Sequence, residues 1–144
     1  MKWSKLITMA IVSFLVMYVL MYVMVNNYNN VYASLNQFYM AAMMTGAMML
    51  VEIAVMASMY EKKVKIITTV ISAVVLILFF VFIRSQFAIT DKEFLKSMIT
   101  HHGSALLMCE NAKLKDPEIK TLCEGIISGQ QEQIDWMKTK LKSL

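Results

Sequence analysis

The sequence predicts an all-α protein: three transmembrane helices, then an extracytoplasmic antiparallel helical hairpin that forms a four-helix bundle by dimerisation. Three observations lead there. Of the 144 residues, 58% are hydrophobic, above the roughly 45–50% apolar share of ordinary soluble domains. Three windows are long and nearly uncharged: Leu6–Val25 has no charge, Phe38–Tyr60 only Glu52, and Val64–Ile83 only Lys65. From residue 90 onward the composition changes, with eight basic and eight acidic side chains and apolar positions recurring at the helical period.

Each apolar window matches the roughly 20 residues needed to cross a hydrocarbon core about 30 Å thick. The first reads as a retained anchor. Its apolar run is longer than the roughly 7–15 residues of a signal-peptide core, and no Ala-x-Ala site follows. Lys2 and Lys5 precede it, Lys62, Lys63 and Lys65 fill the turn between the second and third windows, and the connection Asn26–Asn30, "NNYNN", carries no charge. The positive-inside rule therefore puts the N-terminus and the second turn in the cytoplasm and the tail outside a cytoplasmic (inner) membrane. Arg84 alone opposes this orientation. The formal charge of +4 belongs wholly to residues 1–89, so it speaks for a bilayer partner and against nucleic acid.

The second window holds seven methionines: Met40, Met43, Met44, Met48, Met49, Met56 and Met59. At 100° per residue, Thr45, Met48, Met49, Glu52, Met56 and Met59 share one sector. A carboxyl inside the membrane costs roughly 2.5–3.5 kcal/mol on insertion scales and should face protein or a cavity. One reading is a thioether-lined intramembrane path for Cu(I) beside Glu52. The other is that methionine stands in for leucine while Glu52 joins two helices. The small residues Ala41, Ala42, Thr45, Gly46 and Ala47 allow close helix packing.

Residues 1–84 form the membrane domain and 85–144 the hairpin domain, with "RSQFAITDKEF" as the polar hinge. Thr90 or Asp91 suits a helix N-cap, and Pro117 suits the first turn of the second helix after a stop near Lys115-Asp116. One face of the first helix gathers Asp91, Phe94, Leu95, Met98, His101, His102, Ala105, Cys109 and Ala112. The facing stripe is Ile119, Leu122, Cys123, Ile126, Gln130, Gln133, Ile134, Met137 and Leu141. Two helices of this size leave one side of each stripe open, so a homodimer or higher homo-oligomer is expected.

An antiparallel turn at residue 116 pairs residues whose numbers add to about 232. Cys109 then confronts Cys123, as a disulfide in an oxidising compartment or as a shared soft-metal site. Next come His102 with Gln130, His101 with Gln131, Met98 with Ile134 and Leu95 with Met137. Met98, His101 and His102 stand at i, i+3 and i, i+4 steps, so a thioether and two imidazoles converge. Thioether and thiolate favour Cu(I), and imidazole also serves Cu(II) and zinc. The expected ligands are Met98, His101, His102 and Met137, with Met108, Cys109 and Cys123 as a second, softer cluster and Gln130 and Gln133 as supporting polar groups. Copper, chiefly Cu(I), is the expected metal, and zinc is the alternative. There is no third histidine, no Ser/His/Asp set and no Gly-rich phosphate loop, so no enzymatic activity is expected.

The pattern Asp91, Phe94, Met98, His101-His102, Ala105, Met108, then Leu122, Ile126, Gln130, Ile134 and Met137 resembles the family known as domain of unknown function 305. That family carries a Met-x-x-His-His motif and then a helix with a Gln-x-x-(Glu/Gln)-Ile-x-x-Met pattern. The resemblance implies a ferritin-like bundle of helical hairpins and, since some periplasmic members bind copper, copper handling. Many members carry two hairpins where this chain has one, which again implies a dimer. Cys109 and Cys123 resemble a membrane-anchored branch with three N-terminal spans. Gln133 stands where the family often has glutamate. The expected function is therefore copper sequestration or relay at the membrane. Two rivals are a non-metal assembly module stapled by a Cys109–Cys123 disulfide, and a metal transporter working through Glu52.

Overall fold

The computed structural model describes residues 3–144; Lys2, used in the orientation argument, lies outside them. The described residues form five α-helices joined by turns and short 3-10 segments, with no strand. They are α1 (Trp3–Leu20), α2 (Leu35–Val55), α3 (Lys62–Ser85), α4 (Asp91–Asn111) and α5 (Pro117–Ser143). The chain divides into two compact units: one takes the chain up to Met21 with Asn36–Ala88, the other Tyr22–Leu35 with Ile89–Leu144.

Three stretches, Trp3–Met24, Leu35–Val55 and Lys62–Ser85, which supply nearly all of the first unit's helices, are long and apolar enough to cross a membrane. Their outward side chains are large and greasy: Ile11, Leu15 and Val19 on α1 and Val70, Ile77 and Val81 on α3 are all exposed. Such a continuous apolar surface is compatible with a lipid environment and foreign to water. Inside, Leu6, Met49, Ile53, Tyr60 and Val64 form one buried cluster. Toward the C-terminal end of α3, Phe14, Phe38, Tyr39, Phe79 and Phe82 pack by ring edges and faces. The Tyr39 hydroxyl donates to the Phe87 carbonyl at 3.0 Å. Between them α2 and α3 meet backbone to backbone at Gly46. A Cβ there would stand 3.1 Å from the Ser72 carbonyl oxygen and 3.2 Å from the Leu76 nitrogen.

α2 ends sooner than its composition predicts. The apolar window runs to Tyr60, but the helix stops at Val55 and a 3-10 turn occupies Ala57–Met59. Methionine and alanine are good helix formers, so nothing in the residues themselves marks this end. Glu52 consequently lies in the last turn of α2 rather than mid-span. It accepts a hydrogen bond from the Tyr60 hydroxyl at 2.9 Å.

The second unit is the hairpin plus a strap. The Thr90 hydroxyl caps α4 by accepting from the Glu93 N–H. Asp116 caps α5 by accepting from Glu118 and Ile119, with Pro117 in the first turn. Leu95, Ile99, Leu106, Ile134 and Met137 form its buried core, with Tyr32, Met98, Ile127 and Leu141 packed against them. The buried arc of α4 is turned from the predicted one: Ile99 and Leu106 are central, whereas Phe94 is 50% exposed. The cause is the strap. Residues 22–35 lie along α4 and bury Thr100 and Gly103, so α4 is covered from two directions and its core face shifts toward them.

Candidate functional site

The hairpin's register is fixed by a disulfide between Cys109 and Cys123, whose Cα atoms are 5.3 Å apart. The predicted height-matching is thus realised, and of the two alternatives for this pair the structure has the covalent one. Neither sulfur is a free thiolate in this state, so the second, softer cluster loses two of its three expected ligands; its third, Met108, is 52% exposed on the hairpin's surface.

About two turns from the disulfide lies the histidine pair. His102 is 7% exposed, and its buried Nδ1 has no hydrogen-bond partner. His101 is exposed. The two rings stand 6.0 Å apart, centroid to centroid, at 61°. Burial, with a smaller contribution from the charge of His101, holds the His102 imidazole below its ordinary pKa, which keeps it neutral with a lone pair for a ligand. The amide oxygen of Gln130, the residue matched in height to His102, is likewise buried and without a partner. Buried polar atoms are nearly always satisfied, so two orphans at one level of a hairpin are notable.

Of the other expected ligands, Met137 is buried in the core cluster and Met98 packs against it. Gln133 is exposed. The expected set therefore separates into an inner group of Met98, His102, Met137 and Gln130, and an outer group of His101, Met108 and Gln133. Among the described residues no three His, Cys, Asp or Glu side chains come together as metal ligands. A metal in this hairpin has to draw on thioethers as well as imidazole, a donor set suited to Cu(I) and poor for zinc.

The proposed intramembrane set is also rearranged. Met48 and Met56 pack against the apolar cluster of Leu6, Met49 and Ile53, Met56 and Met59 lie beyond the end of α2, and Glu52 is engaged by Tyr60. A single helical stripe from Met48 through Met59 therefore does not form.

Residues that sequence reasoning missed hold α4 in place. The Thr100 hydroxyl lies 3.2 Å from the Asn30 carbonyl, 3.4 Å from that of Tyr32 and 3.2 Å from that of Lys96, and accepts from the Tyr32 N–H at 3.3 Å. Having one proton, it can donate to one carbonyl at a time. The Asn26 N–H donates to the Gly103 carbonyl at 3.2 Å, and a Cβ on Gly103 would meet Val25 at 3.0 Å. The Leu35 N–H donates to Glu93 Oε2 at 2.8 Å, while Glu93 Oε1 pairs with Lys96 at 2.7 Å. Burial pushes the Glu93 carboxyl up, but Lys96 and the Leu35 N–H outweigh it and hold the group below its usual value. The one available signal was the run "NNYNN", since asparagine side chains bond readily to nearby backbone.

Residues 83–143, which cover the end of α3 and all of the hairpin to Ser143, match the family model described as "Domain of unknown function (DUF305)". A protein of Acanthamoeba polyphaga mimivirus, "Uncharacterized protein L153", is 34% identical over 142 residues, spanning 96% of this chain and 91% of that protein. Residues 83–143 are thus a DUF305 domain. The DUF305 match is confined to the tail, whereas the similarity to the mimivirus protein continues through the three apolar helices. No solved structure matches the chain.

Proposed function

We propose that this DUF305-containing protein is a membrane-anchored copper-binding protein that sequesters Cu(I) or hands it on outside the cytoplasmic membrane. Met98, His102 and Met137 hold the ion, and Gln130 supports it. His101, one residue away and exposed, is the group through which an incoming ion would be transferred. The observation that carries this reading is the buried, neutral His102 with an unpartnered Nδ1 on a hairpin whose core holds two methionines. Imidazole with thioethers is the donor chemistry of Cu(I), and it offers no nucleophile or acid–base pair for catalysis.

Three apolar helices anchor the hairpin, with the N-terminus cytoplasmic and the hairpin outside; an intact Cys109–Cys123 disulfide suits that oxidising side. The chain works as a homodimer. Phe94, Met108, Leu122 and Trp136 are 50–62% exposed, and Gly125 and Gly129 face open space, so a second hairpin completes a four-helix, ferritin-like bundle over this face. The test is chromophoric competition for Cu(I) with the detergent-purified full chain. Wild type takes up about one ion per chain, and His102→Ala releases it.

A second reading is supported by the disulfide itself: a stapled assembly module with no metal. It predicts copper-free protein after chelator-free purification and unchanged dimerisation in His102→Ala.

A further inference from the structure

The first unit contains a cleft of about 200 Å³ walled by Trp3 and Leu6 of α1, Gly46 and Met49 of α2, and Thr68 and Ser72 of α3. Its lining is mostly apolar, with the hydroxyl residues Thr45, Thr68 and Ser72 among it, and Thr45 already bonds back to the Ala41 carbonyl at 2.8 Å. Thr68 is 7% exposed, and its Oγ1 is buried without a hydrogen-bond partner. A helical threonine usually bonds back to a carbonyl one turn earlier. Here the hydroxyl is left for something that enters the cleft.

The same end of the unit carries most of its charge, Arg84 at the far end of α3 apart. Lys5 lies in the first turn of α1, and Lys62, Lys63 and Lys65 lie in the first turn of α3. Lys5, Lys62 and Lys63 are exposed, as is Glu61. The other carboxylate near this end, Glu52, is engaged by Tyr60. The balance is basic. At about 1.5 Å per residue, Thr68 lies about 9 Å along α3 from Lys62, comparable to the interfacial layer of roughly 5–8 Å that separates headgroups from hydrocarbon. Trp3, on the rim, is the residue type that settles at that interface.

We propose that this cleft binds one anionic phospholipid. An acyl chain fills the apolar wall, the ester carbonyl accepts a hydrogen bond from Thr68 Oγ1, and the phosphate sits among Lys5, Lys62 and Lys63. Basic clusters at the cytoplasmic end of membrane helices recognise anionic headgroups in this way. The site rests on the membrane-embedded part of the function proposed above and is independent of copper.

The experiment uses the full chain carrying Trp136→Phe, so that Trp3 is the sole tryptophan, reconstituted in phosphatidylcholine vesicles and checked by flotation. Trp3 fluorescence is then titrated with brominated-acyl phosphatidylglycerol or brominated-acyl phosphatidylcholine. Phosphatidylglycerol should quench at several-fold lower mole fraction. Lys62→Gln and Lys63→Gln should each lower that preference, by up to about fivefold, the most that one surface lysine contributes, and the double variant should abolish it. Thr68→Val should weaken quenching by both lipids alike, since both have the ester. Equal quenching of wild type by the two lipids, in protein that floats, would overturn the site while leaving the membrane anchor standing. Protein that fails to float would overturn both.

Discussion

Methionine is abundant in both halves of the molecule, yet the two halves use it differently. In the apolar unit Met48, Met49 and Met56 pack with Leu6, Ile53 and Tyr60, and the nearby carboxylate Glu52 is already bonded to Tyr60. In the hairpin Met98 and Met137 share a core with a helix whose buried histidine has an unanswered nitrogen. Methionine count alone says little about metal binding, because a thioether is first an adaptable apolar filler. What separates the two sets is the metal-ligating group on the same helix: the Glu52 carboxylate is engaged by Tyr60, whereas the His102 nitrogen is orphaned.

The contrast can be broken most severely at the hairpin core. Leu106 is 1% exposed, and Leu106→Ala should destabilise the hairpin by about 2–5 kcal/mol, whereas Ile77→Ala on the outward face of α3 should change little in detergent. Thermal melts followed by circular dichroism and Trp136 emission would show whether the loss is confined to the hairpin. Opening the disulfide comes next. The Cys109–Cys123 bond spans a separation of 14 residues, and removing a crosslink over such a loop costs about 3 kcal/mol. Cys109→Ser with Cys123→Ser should lower the hairpin's melting temperature and leave Cu(I) uptake by the inner group measurable at low temperature. If uptake vanished with the fold intact, the sulfurs would be ligands after all.

Smaller effects come from the strap and from protons. Glu93→Gln removes a charged acceptor from the Leu35 N–H and from Lys96 and should cost about 1 kcal/mol. The Glu93 carboxyl is depressed in the fold, so its contribution is present above its unfolded value of 4.5 and disappears as pH falls through the lower folded value. His102 adds a separate step. Its folded value lies below 6.5, so the unfolded chain binds the proton first and stability declines as pH drops from 6.5 toward the folded value. Denaturant titrations from pH 7 down to about pH 3 should show both steps. His102→Gln should erase the upper step and Glu93→Gln the lower.

Much of this architecture is legible in the residues. Uncharged windows reveal the three apolar helices, Thr90, Asp116 and Pro117 mark helix starts by their capping chemistry, and the height rule that pairs Cys109 with Cys123 locates the hairpin turn. The strap was not legible. Residues 22–35 have no periodicity, and their role depends on hydrogen bonds to Thr100 and Gly103, some 70 positions away. That contact in turn rotated the buried face of α4, so Ile99 and Leu106 replaced Phe94 at its centre. The end of α2 was hidden for another reason: Met56, Ala57 and Met59 are as apolar and as helix-prone as the residues before them, and only tertiary packing of Tyr60 against Leu6 and Val64 distinguishes the turn. In the candidate site, spacing placed Met98 and His102 on one face but gave the adjacent His101 equal standing. Which of two neighbouring imidazoles is buried follows from the helix's rotation, which the strap sets.

The central claim is that the orphaned nitrogen of His102 is a Cu(I) ligand. Its most direct test is the Cu(I) dissociation constant of the full chain, measured by chromophoric competition under a non-thiol reductant with the disulfide intact. The account predicts a large loss of affinity in His102→Ala, a clear loss in Met98→Leu with Met137→Leu, and a lesser one in His101→Ala. An affinity in His102→Ala equal to that of the wild type would contradict it.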